Sequence, residues 1–298
     1  MPLLLALLLA ADLHAVEKAD VVIVTGSADH MEQVMQRAGV KYALVSPDDL
    51  PDLPLRWQQI LMVNCTGQMS PKSMERVRRF VNAGGMLYTT DHAVHYLIEK
   101  IFPGTIRFNG QGTQEQIFPM QVSGDRGLVA KIVTPGHEPR WQLASGGMLF
   151  DVVDPKIEIL MRSAQVQARY HKGGALGVRF RVGDGQVVHV TGHFFTQPGQ
   201  APEVAAAGRA FEQLSQNVLT EKKEDAPRVE ALYSAQLTKS EPLRQAPAAK
   251  AAPVPAASGA ALTDSASAKL RILQQKDGMI EVRDEEGNQG WVPAGSVK

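Results

Sequence analysis

Cysteine is nearly absent: Cys65 is the single one in 298 residues, which excludes an intramolecular disulfide framework and a zinc ribbon, since both need several. Net charge is absent as well. The 31 basic residues balance the 31 acidic ones, so the chain has neither the basic surplus of a cationic nucleic-acid binder nor the composition of a charged, disordered one. Long hydrophobic runs are missing too. Residues 2–11 are apolar, but they supply about half of the ~20 residues a membrane-crossing helix needs, and Asp12 closes the run, so no stable membrane span is expected. No repeat of 20–50 residues points to a solenoid or propeller, and no glycine pattern of a nucleotide site occurs. What remains is a chain that is 44% hydrophobic and long enough for a folded core with a small second module.

The apolar start suits the central region of a secretory signal, with Ala15 a small residue before a cut, although no Lys or Arg precedes it and Leu13 is large for its place. A buried terminal helix or a misassigned start is the other reading. The expectation is a signal peptide over residues 1–15 and a periplasmic or secreted protein, with a cytoplasmic one as the alternative. No cysteine directly follows the run, which disfavours a lipid anchor.

From Asp20 onward, short apolar runs alternate with helical patterns, the signature of a parallel sheet with crossover helices. Strands are expected at 21–24, 42–45, 60–63 and 86–90. Met31, Val34, Met35 and Ala38 share a helix face, as do Met74, Val77, Phe80 and Val81, the second helix being capped by Ser70 with Pro71 in its first turn. Asp91 is placed to cap a helix over 93–101. Further strands are expected at 117–122, 157–161, 176–182 and 187–191, with a hairpin at Gly183-Asp184-Gly185. A helix over 203–219 then closes an α/β domain of residues 16–221.

Residues 222–266 are expected to form a linker, because 241–266 holds ten Ala and four Pro and no large apolar periodicity. Residues 267–298 alternate as short strands around the turn Glu286-Gly287-Asn288, a miniature all-β unit near the lower size limit for independent folding.

In open parallel sheets, ligands gather beyond the carboxyl ends of the strands. The polar residues of this sequence fall at those ends: Ser27 and His30, Asn64 and Cys65, Asp91 and His92, and His193. Each also has a plain structural reading. Ser27 and Asp91 can cap helices, Asn64 can close a turn, and a lone cysteine at a strand end is often a small packed hydrophobe. His92 and His95 are three apart on a helix, with Asp91 and His193 as further donors, but no His-Glu-x-x-His spacing occurs and no metal or cofactor is assigned. Arg76, Arg78 and Arg79 read as a solvated helix face, and Trp57 and Trp141 as packing anchors. Trp291 reads either as core or as an exposed peptide-binding aromatic.

The ordered pieces Thr25-Gly26-Ser27, Asn64-Cys65-Thr66-Gly67, Phe80-Val81-Asn82-Ala83-Gly84-Gly85, Thr89-Thr90-Asp91 and Thr191-Gly192-His193-Phe194-Phe195 resemble the class I glutamine amidotransferase-like superfamily, in its bacterial branch with a Thr-Thr-Asp motif. The resemblance covers about residues 20–215. It implies a doubly wound, flavodoxin-like, mainly parallel sheet. The C-terminal unit, through Gly290-Trp291-Val292, is similar to a bacterial SH3-like domain, implying a small all-β barrel.

Amidotransferases of that superfamily place a cysteine in the strand-to-helix elbow, with a histidine as base and a glutamate to orient it. Here the elbow holds Asp91, His193 matches the late histidine, and Phe195 stands where the glutamate belongs. Glutamine hydrolysis is therefore not expected. The leading expectation is a non-catalytic, exported protein that binds a peptide, peptidoglycan or an envelope protein through its SH3-like module, with no nucleic-acid partner. The alternative is a hydrolase using Cys65 or Asp91 with His193. The candidate ligand-binding residues are Ser27, His30, Asn64, His92 and Trp291.

Overall fold

The computed structural model describes residues 13–124, 126–133, 136, 138–193, 202–255, 263–264 and 266–298. The apolar run 2–11 lies outside them, as do Phe194 and Phe195. Residues 13–18 are helical, and Val16 is buried.

Continuous apolar runs become central strands because both of their faces must be covered. In β1 (Val21–Val24), β3 (Ile60–Val63) and β4 (Met86–Thr90) every residue is buried. By contrast β2 (Tyr42–Val45) alternates and leaves Leu44 exposed, as suits an edge. These four strands run parallel.

Beyond β4, β5 (Ile106–Gly112) pairs with β9 (Met148–Val152), and β6 (Gln116–Pro119) pairs with β8 (Arg140–Leu143), as two separate antiparallel ribbons. The central sheet takes up β7 (Gln121–Val122), β10 (Glu158–Arg162), β11 (Ala175–Val182) and β12 (Gly185–Val190), giving eight strands in the order β2-β1-β3-β4-β12-β11-β10-β7. Strand β12 lies parallel to β4, and the strands beyond it are antiparallel. Gly183 and Asp184 close the hairpin between β11 and β12, as their sequence leads one to expect.

Successive residues of β1 enter different cores. Val21 and Ile23 pack with Met31, Val34 and Met35 of α1 (Met31–Arg37) and with Phe211, Leu214 and Val218 of the long C-terminal helix. Val22 and Val24 pack with Val77, Phe80 and Val81 of α2 (Pro71–Asn82). Helices on both faces of a mostly parallel sheet make this an α/β fold. Each large apolar side chain fully buried in these layers contributes roughly 1.5–3 kcal/mol. The cap expected for α2 is present, the Ser70 hydroxyl accepting from Ser73 N–H at 3.2 Å.

Four local expectations are corrected. Asp91 does not cap the helix that follows: a π-helical turn over Val94–Ile98 leads into α3 (Glu99–Ile101) with no side-chain cap, because the Asp91 carboxyl is engaged elsewhere. The helix expected to stop at Leu219 runs as α5 (Pro202–Glu230), after the short α4 (Ala164–Tyr170). Its charged stretch looked like linker, but the charges have partners: Glu221 meets Arg179 at 2.7 Å, Asp225 meets Arg181 at 3.0 Å, and Lys222 donates to the Gly84 carbonyl at 2.8 Å. Arg76 is not on a solvated face. Its guanidinium is buried and donates to the carbonyls of Leu53, Leu55 and Glu286.

The Ala/Pro stretch also differs from a free spacer over its described part. β14 (Glu241–Pro242) pairs with β15 (Thr263–Asp264), Leu243 is buried, and the Arg244 backbone exchanges two hydrogen bonds with that of Trp291. Alanine and proline here contribute backbone rather than side-chain packing, so hydropathy alone does not reveal the contact.

A small antiparallel sheet closes the chain, in the order β13 (Ala235–Gln236), β16 (Lys269–Lys276), β17 (Met279–Asp284), β18 (Gln289–Pro293). Leu270, Ile280, Val282 and Val292 form its core. It rests on the end of the large sheet where β4 and β12 begin. Arg271 and Arg283 both meet Asp184, Tyr233 Oη donates to the Ala83 carbonyl at 2.7 Å, and Trp57 stacks on Tyr233 with ring centroids 5.9 Å apart.

Candidate functional site

The parallel register brings the carboxyl ends of β1, β3, β4 and β12 to one rim, and seven of the predicted residues lie there. Asp91 follows β4 directly at φ 45°, a left-handed conformation that a non-glycine residue holds only when its surroundings enforce it. The enforcement is visible. Its side chain is 0% exposed; Oδ1 accepts from Met148 N–H at 2.6 Å and Oδ2 from Gly192 N–H at 3.2 Å, while its own N–H donates to the Val190 carbonyl. Gly147 permits this approach, because a Cβ there would lie 2.7 Å from Asp91 Oδ2.

Two histidines flank the same carboxyl. His193, 15% exposed, has Nε2 3.5 Å from Asp91 Oδ2 without hydrogen-bonding geometry, and that nitrogen has no other partner among the described residues. His92 Nε2 lies 3.8 Å from Oδ1 but is hydrogen-bonded to the Gly146 carbonyl at 2.7 Å. His95 pairs with Glu99 on its own helix, away from Asp91.

Cys65 is buried. Desolvation pushes its thiol up to about 12, the negative Asp91 and Asp29 act in the same direction, and only the His92 backbone N–H opposes them. At neutral pH it is a protonated thiol, not a thiolate nucleophile. Its carbonyl accepts from Ser27 N–H at 2.9 Å and Ala28 N–H at 3.3 Å, so Ser27 serves the rim through its backbone. Asn64 Oδ1 accepts from Met31 N–H at 3.2 Å and its Nδ2 donates to Glu32 at 3.1 Å; His30 Nδ1 is 2.8 Å from the other Glu32 oxygen.

Sequence reasoning missed Asp29 and Glu32. Asp29 is buried, accepts from Thr90 Oγ1 at 2.6 Å, and so ties the end of β4 to that of β1. A carboxylate two residues after a strand-end Gly-Ser was a signal available in the sequence. Met148 and Gly192 hold the Asp91 carboxyl through their backbone N–H groups and carry no side-chain signal. Trp291 is not part of this rim: it lies in the small sheet at the opposite pole, 7% exposed.

No protein-family model matches the chain, and no curated protein sequence matches it. Among solved structures, a β-galactosidase from Bacillus circulans sp. alkalophilus is 14% identical with a TM-score of 0.47, covering 94% of this chain, which spans 40% of that protein's length. PurLQS from Thermotoga maritima is 14% identical with a TM-score of 0.46, covering 67% of this chain and 97% of its own. A ThuA-like protein from Bacteroides uniformis is 11% identical with a TM-score of 0.42, covering 72% of this chain and 90% of its own.

The rim's polar groups are largely spent on one another and on backbone. Chemically the arrangement is a clamp joining the ends of neighbouring strands. His193 Nε2 is a buried rim nitrogen with no hydrogen-bond partner among the described residues.

Proposed function

We propose that the protein is a non-catalytic, exported binding protein of the cell envelope: a degenerate amidotransferase-like domain that presents an SH3-like module. The observation that carries this reading is the Asp91 carboxyl, which occupies the elbow of an attacking group yet is fully buried with both oxygens held by backbone N–H groups. A nucleophile needs access to substrate, and this carboxyl is 0% exposed. The thiol of Cys65, held protonated by burial, supports the same conclusion. The four-stranded antiparallel sheet with its own apolar core supports the SH3-like part, and the apolar residues 2–11 support export.

Co-sedimentation tests the reading. The full chain is expected to pellet with isolated bacterial envelope fractions, and the Cys65→Ala variant to pellet equally. A chain that stays in the supernatant contradicts it. N-terminal sequencing of the folded protein tests export separately, with residue 16 as the expected start.

A second reading keeps one observation in its favour: His193 is partly exposed beside Asp91, as a histidine general base beside its orienting carboxyl would be. In that case Asp91 positions and His193 acts, and substitution of His193 abolishes turnover of an envelope ester or amide.

A further inference from the structure

We propose that the cleft between α2 and the C-terminal sheet binds an acidic peptide. This rests on reading the small unit as a binding module, and adds where on the molecule the ligand sits and what chemistry it carries.

The cleft encloses about 510 Å³, within the usual size of a ligand site. Its walls bring together Arg78 and Arg79 of α2, Arg244, Arg283 of β17 and Trp291 of β18; the acidic side chains facing them are Glu75 and Glu281, so positive charge is in excess. Glu75 is consumed by Arg78, with contacts at 2.7 and 2.8 Å. Glu281 accepts amide donors from Gln274 and Gln289. Arg283 shares Asp184 with Arg271.

Arg79 and Arg244 make no side-chain ion pair among the described residues, although Glu286 lies near Arg79 and Glu241 near Arg244. The acceptor for Arg79 is the neutral Asn288 Oδ1 at 2.6 Å, and that for Arg244 is the Ala251 carbonyl at 3.2 Å. The Nε of each is buried without a hydrogen-bond partner among the described residues. Each guanidinium thus has a neutral acceptor and an unpaired Nε, and a carboxylate matches the paired N–H geometry of arginine. Two such arginines lining one cleft, beside the indole of Trp291 and the side chain of Val254, suit carboxylate side chains whose apolar stems lie on the aromatic wall. A nucleic-acid strand fits less well, since the cleft offers one aromatic platform and a chain of zero net charge surrounds it.

Calorimetric titration of the full chain with end-blocked hexaglutamate, hexaglutamine and sodium sulfate tests the proposal. Hexaglutamate is expected to bind, hexaglutamine not to, and sulfate to bind more weakly. Arg79→Gln and Arg244→Gln are each expected to weaken hexaglutamate by roughly tenfold. In the unaltered chain, the indole N–H resonance of Trp291 should move on titration while that of Trp141 stays still, a readout that does not depend on the variants folding. Absence of hexaglutamate binding, equal binding of hexaglutamine or sulfate, unchanged affinity in folded variants, or an unmoved Trp291 resonance each overturns the cleft. Any of these leaves envelope co-sedimentation as it was, whereas loss of co-sedimentation with peptide binding intact overturns only the envelope reading.

Discussion

Two backbone N–H groups, of Met148 and Gly192, end on the Asp91 carboxyl, and an alanine there leaves both buried without an acceptor. Each buried donor left unsatisfied costs ~1–3 kcal/mol, so Asp91→Ala is expected to lose about 3 kcal/mol in urea unfolding. An unchanged midpoint would remove the clamp. Lys222 gives a prediction in pH. Burial between Trp57 and the Gly84 carbonyl lowers its ammonium from the usual 10.5 to about 7. Between those values the folded chain holds fewer protons on Lys222 than the unfolded chain does, so this group's contribution to stability rises with pH from about 7 to about 10.5. The stability difference between the parent and Lys222→Met should therefore shift in the parent's favour across that window; a flat difference contradicts the burial. At this scale the sequence was readable for residue type but not for role. Ser27, Asn64, Cys65, Asp91 and His193 do converge, yet a polar residue at a strand end looks the same whether it meets substrate or a neighbouring amide.

Helix α2 shows how neighbouring arginines diverge once a partner element is present. Arg76 is buried and donates to three carbonyls, whereas Arg78 forms a half-exposed pair with Glu75. Arg76→Met is expected to cost about 2–3 kcal/mol, since it breaks several buried charge-assisted hydrogen bonds. Arg78→Met should change stability by less than about 0.5 kcal/mol, as exposed pairs do. Thermal unfolding of the two variants side by side measures the contrast, and equal losses would contradict it. Central strands and the faces of α1 and α2 were legible because burial on both faces writes an apolar run and burial on one face writes a 3.6-residue period. The ribbons of β5 with β9 and of β8 with β6 were mostly not. Their strands mix glycine, asparagine and arginine with apolar residues and are paired by backbone.

For the whole molecule, the decisive feature is the contact between the small sheet and the large one. Composition suggested a tether, but Asp184 joins Arg271 and Arg283, Trp57 stacks on Tyr233, and Arg79 and Arg76 reach the 284–288 loop. Contacts distributed in this way couple the units, so calorimetry is expected to show a single unfolding transition, with Asp184→Ala lowering its temperature. Two separated transitions in the parent would mean independent units. The contact was hidden because its partners lie about a hundred or more residues apart and the residues that make it are mostly charged.

The central claim is that the elbow carboxyl and the rim cysteine are structural. Intact-protein mass spectrometry after incubation of the native chain with thiol-directed and ester-type covalent probes tests it most directly. The account predicts no adduct on native protein at neutral pH and one adduct on Cys65 after denaturation. A probe attached to Asp91 or Cys65 in the folded chain would contradict it.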